Sequence, residues 1–70
     1  MRIAGSGDEL TLRTHLLDRA DVYVDGRPRA SADLTGESVT VSVPGAGAAH
    51  VIRVEGFHDG VLAAARTIVR

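Results

Sequence analysis

The chain predicts an all-β fold, a small antiparallel β-sandwich or open barrel of about six short strands. Three observations lead there. Apolar and polar residues alternate through positions 38–43 (SVTVSV) and again through 51–55 (VIRVE). Asp-Gly pairs stand at Asp25-Gly26 and Asp59-Gly60. Pro44-Gly45 and Gly47 separate the two alternating runs. Side chains of a strand alternate sides, so a period of two marks an element with one face buried and one wet. Asp-Gly suits the type I′ hairpin turn, whose two central residues both need positive φ.

Taken in order, residues 1–8 are expected as a flexible lead-in to a single domain of residues 1–70, because Gly5-Ser6-Gly7 breaks any element there. Residues 9–17 (ELTLRTHLL) alternate, with Leu10, Leu12 and Leu16 on the apolar face and Thr14 as its one polar member. They are expected as a strand, and residues 18–21 as a polar connector. Val22-Tyr23-Val24 forms a short strand, Asp25-Gly26 turns it, and residues 27–30 return antiparallel. Pro28 has no N–H to give to a ladder, so that return belongs at a sheet edge. Residues 31–37 form a loop with Leu34 as its buried member. The runs 38–43 and 51–55 are expected to pair as a hairpin and make the central pair of the fold. Val39, Val41 and Val43, with Ile52 and Val54, face the core, and His50 is half covered at the strand's end. Residues 61–70 (VLAAARTIVR) are the ambiguous stretch. Leucine and alanine favour helix there, whereas Thr67-Ile68-Val69 favour strand. No residue suited to an N-cap begins the run, so a last strand returning onto 51–55 is expected, with helix as the alternative.

A chain of 70 residues has a thin core. Hydrophobic residues make up 44% and charged ones 24%, which is globular composition rather than disorder. With one Phe, one Tyr and no Trp, the core is built of Val, Leu, Ile and Ala. No cysteine is present to staple it, so self-association, most simply as a homodimer, or docking on a larger protein is the expected source of added stability. Net charge is −1 and every cation is an arginine. Without a charge block there is no nucleic-acid footprint and no polybasic membrane patch. Without lysine there is no lipoate or biotin attachment and no Schiff base. No apolar run approaches the ~20 residues that span a bilayer. No apolar segment follows Arg2, so no signal peptide is read. This fits a cytoplasmic protein first, then a mature secreted one or an excised domain.

The succession VYVDG-R-P, then VTVSVPGAGAAHVIRVEGF, resembles the small bacterial surface domain named PEGA. Val22, Val24, Asp25, Gly26 and Pro28 match its V-x-V-D-G-x-P hairpin. Pro44, Gly45, His50, Ile52, Val54, Gly56 and Phe57 match its Pro-Gly turn and following strand. The name-giving Pro-Glu-Gly-Ala turn is replaced by PGAGA, and residues 31–37 lack the usual Thr-Pro link. Residues 43–70 are also similar to the closing strands of the immunoglobulin-like sandwiches appended to bacterial enzymes. Both resemblances imply an antiparallel sandwich with a non-catalytic role, and neither carries over a functional residue.

No constellation points to catalysis. His15, His50 and His58 lack metal-ligand spacing, and surface or strand-end histidine is the plainer account. The aspartates sit at turns, where their side chains bond nearby backbone. No carboxylate lies inside an apolar run, where its pKa would rise into the working range of an acid or base. Neither Gly-rich stretch has a phosphate-loop context. The chain is therefore read as non-enzymatic, with no cofactor and no metal. Candidate interface residues are Tyr23, Arg27, Arg53, Phe57 and Arg66, an arginine-plus-aromatic surface if Arg66 lies across from Arg53, and Ala63 and Ala65, a flat strip on which another chain can pack. Charges that guard sheet edges are the plainer account of the arginines. The function expected is a non-catalytic binding or assembly module acting through protein contacts. The alternative is a ligand-binding accessory subunit, possibly enzymatic, with its site at a dimer interface, since a core this thin should leave no cavity of a few hundred Å³ (about the size of a ligand pocket) within one chain.

Overall fold

A computed structural model of the chain describes all 70 residues. The strands are β1 (Arg2–Ala4), β2 (Glu9–Arg13), β3 (Arg19–Val24), β4 (Arg27–Asp33), β5 (Ser38–Ser42), β6 (Val51–His58) and β7 (Val61–Val69). They form two antiparallel sheets, ordered β1-β2-β5 and β4-β3-β6-β7. The sheets pack face to face like a sandwich, and no barrel closes. Leu10, Leu12, Val41 and Val43 from the smaller sheet's side meet Ala20, Val22, Val24, Ile52 and Val54 from the larger in one buried cluster. Both the all-β class and the period-two faces thus hold, with seven strands in place of about six.

The expected central hairpin does not exist. β5 pairs with β2, whereas β6 pairs with β3 and β7. The apolar faces of β5 and β6 oppose each other across the core instead of lying side by side. The stretch between them crosses from one sheet to the other. It contains a 3-10 turn (Ala46–Ala48), and Ala46 and Ala49 are buried. A loop of this length exceeds the ~2–5 residues usual for hairpins. Its alanines plug the end of the sandwich. Asp8 holds it from below, its Oδ1 accepting from Gly47 N at 2.8 Å. β6 remains an interior strand, as expected, but its second neighbour is β3.

Four smaller differences share one cause: pairing with a neighbour decides where a strand begins and ends. Residues 2–4, expected as lead-in, form β1 on the edge of β2, with Ile3 opposite Leu12. The strand expected over 9–17 ends at Arg13. Leu16 adopts φ 64° and stands 75% exposed, while Leu17 turns in over Gly56. β3 begins at Arg19, inside the expected connector, and buries Ala20. His50 is exposed, because the strand starts one residue after it.

Two strands outrun their expected ends, β4 continuing through Asp33 into the expected loop and β6 through His58, while the remaining features follow expectation. Asp25-Gly26 (φ 50° and 83°) and Asp59-Gly60 (φ 50° and 78°) make the two tight turns. β4 is an edge strand, and a bulge beside Pro28 disrupts its ladder with β3. Leu34 is buried. Residues 61–69 are strand, paired along the whole of β6.

Candidate functional site

The two sheets differ in width, so on one side their outer strands, β1 and β7, run past each other without joining. A single hydrogen bond crosses the gap there, from Arg66 Nε to the Met1 carbonyl at 3.2 Å. Beside it lies an open cleft of about 530 Å³. Arg2, Ile3 and Ala4 line it from β1, Arg13 from β2, and Arg66, Thr67 and Ile68 from β7. The core itself is filled, with Leu10, Leu12, Val22, Val43, Ile52 and Val54 fully buried. The space of several hundred Å³ lies outside the core, as an open cleft in the seam that unequal sheets leave.

Three arginines are among the residues that line this cleft and no acidic residue is. Arg2 and Arg13 are direct cross-strand partners. Neither they nor Arg66 makes a salt bridge; the arginines that do are Arg19, with Asp21 at 3.5 Å, and Arg53, with Glu55 at 3.2 Å. Sequence reasoning assigned Arg2 to the lead-in and gave Arg13 no role. The three-residue β1 is too short to show a period, so nothing in the sequence brought the three together.

β7 is the other notable feature of this side. Arg70 N–H donates to the His50 carbonyl at 2.8 Å. Antiparallel residues alternate between pointing their main-chain groups toward and away from a given neighbour. The amides of Ile68, Arg66 and Ala64 therefore face β6, and those of Val69, Thr67 and Ala65 face outward at the sheet edge. Arg66 is the one charged residue among the nine of β7. The opposite edge, β4, is guarded by Arg27, Pro28, Arg29 and a bulge. Val61, Leu62 and Val69, all on β7, are 67%, 50% and 78% exposed.

The candidate interface residues separate. Tyr23, Arg53, Phe57 and Ala65 share the outer face of the larger sheet, Tyr23 and Arg53 being cross-strand partners. Arg53 lies opposite Thr67, and Arg66 lies opposite Val54. Arg66 thus points to the inner side of the sheet, not beside Arg53 as expected; a shift of one residue in register exchanges the faces. Ala63 is the extra residue at the β6–β7 irregularity near Phe57. Arg27 sits across the sheet on β4.

Charges on that outer face satisfy one another. Besides the two salt bridges, Ser31 donates to Asp21 at 2.8 Å, and the Arg19 guanidinium stacks over Phe57, 4.6 Å from the ring centroid. The Glu55 carboxylate first, then burial and Asp21, raise the Tyr23 phenol above its ordinary value. A shallow depression of about 240 Å³ lies between Tyr23, Arg53 and Thr67. At the far end, Asp18, His58 and Asp59 come together in the open, with His58 Nε2 3.4 Å from Asp59 and Nδ1 3.8 Å from Asp18. Asp18 Oδ2 also accepts from Asp59 N at 2.8 Å, so this group braces the β6–β7 turn.

Comparison with protein-family models, with curated proteins and with solved structures finds no match.

Proposed function

We propose that the chain is a non-catalytic binding module that acts through protein contact, accepting an extended segment of a larger protein along β7. One observation carries this reading: β7 is a long edge strand whose outward main-chain groups are unpaired and almost unguarded by charge. Such an edge pairs readily with another strand. Ala63 and Ala65 on it offer little steric resistance. The seven-strand, two-sheet architecture and the Val22–Pro28 hairpin motif support placing the domain near PEGA or the immunoglobulin-like sandwiches, where a non-catalytic role is the rule.

A neutral probe tests the edge, namely a blocked peptide alternating valine with threonine. Binding should shift the amide resonances of Ala65, Thr67 and Val69 and should vanish in Ala65→Pro, which removes an outward donor while sparing the β6 ladder. If the peptide leaves those amides unmoved, the reading fails. Self-pairing of β7 is a second reading, favoured by the exposed Val61, Leu62 and Val69. It predicts a dimer in sedimentation that Ala65→Pro converts to monomer.

A further inference from the structure

We infer that the occupant of the β1–β7 seam is an extended, carboxylate-bearing segment of a partner protein, held by Arg2, Arg13 and Arg66 while its backbone pairs with β7. This rests on the edge reading above and adds the chemistry of the partner. Arg2 and Arg13 face each other across one strand pair. Like charges directly opposite on a sheet repel, and no carboxylate of the chain forms a salt bridge with either, the arginine–carboxylate bridges being those of Arg19 and Arg53. Acids are not scarce, since there are nine against eight arginines. No acid lines the cleft, Glu37 shares a neighbouring depression with Arg2 and Arg13 without bridging either, and a third arginine, Arg66, lines the cleft from the opposite sheet. Arg66 spends one N–H on Met1, which leaves its terminal nitrogens for an anion.

The shape of the cleft narrows the ligand to a strand. Its lining is two strand edges, and Ala65, Thr67 and Val69 offer main-chain partners along one of them. In an extended peptide, side chains on one face recur about every 6.6–6.8 Å. Acids at alternate positions can therefore meet Arg66 and the Arg2–Arg13 pair in turn, each guanidinium taking a carboxylate through two parallel N–H···O bonds. A second copy of this chain is the wrong occupant, because it brings the same cations against themselves.

The test uses three probes on the intact chain: a blocked peptide alternating valine with glutamate, the same peptide with lysine for glutamate, and free citrate. Affinity is read by isothermal titration at low and high salt. The glutamate peptide should bind on the order of tenfold or more tighter than the lysine one, weaken with salt, and lose that advantage in Arg13→Gln/Arg66→Gln. The control Arg29→Gln, outside the cleft, should leave it unchanged. Equal affinity for the glutamate and lysine peptides overturns the inference while leaving the edge reading intact. Citrate binding as tightly as the glutamate peptide, with Ala65→Pro having no effect, overturns it in favour of a small-anion site.

Discussion

The tether at Asp25 offers a direct test of the two-sheet arrangement. Asp25 Oδ1 accepts from His50 N at 3.0 Å and from Val51 N at 2.9 Å, so a turn residue of the β3–β4 hairpin captures the start of β6. Asp25 also adopts φ 50°. Asp25→Gly isolates the first role, because glycine keeps positive φ without strain. A hydrogen bond to a charged acceptor contributes ~1.5–3 kcal/mol; here both donors share one exposed oxygen, so we expect a loss of ~2 kcal/mol for the pair. Asp25→Ala adds the left-handed penalty of ~1–2 kcal/mol, giving a total of ~3–4. Asp25→Asn keeps both an acceptor oxygen and a tolerated φ, and should cost under ~1 kcal/mol. Domains of this size shift by ~4–8 °C in Tm per kcal/mol, so the three variants should separate clearly in thermal unfolding followed by circular dichroism. The order Asn, Gly, Ala from mildest to most severe is the signature. If Asp25→Gly melts with the wild type, Asp25 does not tether β6, and the crossing of residues 44–50 between sheets is held by Asp8 without it.

Three other outcomes follow from the packing and charges. Val54 is fully buried, so Val54→Asp loses ~1.5–3 kcal/mol of burial and adds an unpaired carboxylate. It should leave the chain unfolded by near-ultraviolet dichroism, whereas Thr40→Lys on the outer face of the smaller sheet should be neutral. Arg13→Glu replaces the repulsion with Arg2 by attraction and should raise stability by ~0.5–1 kcal/mol in urea titration, a gain that shrinks in high salt; a loss instead would show that Arg13 already has an anionic partner. The Tyr23 phenol, raised by Glu55 and burial, should ionise later than free tyrosine when followed by phenolate absorbance, and Glu55→Gln should return it toward the ordinary value. Because the folded value lies above the unfolded one, its contribution to stability is complete below the unfolded pKa of ~10. It is lost as pH rises through the folded value.

Alternation and turn chemistry are local properties, and they were legible. Val39, Val41, Val43, Ile52 and Val54 could be assigned to a buried face because period two depends only on neighbours in the chain. Asp25-Gly26 and Asp59-Gly60 could be assigned to hairpins because positive φ at consecutive residues is a demand few residue types meet. Pro28 marked an edge because a missing N–H is visible in the letter itself. Only the tertiary structure decided which edge each strand joined. The same alternating face serves a strand beside its neighbour or across the core from it, so β5 and β6 looked like a hairpin until β2 and β3 claimed their edges. Register was equally hidden: one residue of shift in the β6–β7 ladder sends Arg66 inward to the seam instead of outward beside Arg53. That shift, with the pairing of a three-residue β1, assembled Arg2, Arg13 and Arg66. Arg2 and Arg66 are far apart in sequence, and no sequence pattern encodes the unequal widths of two sheets.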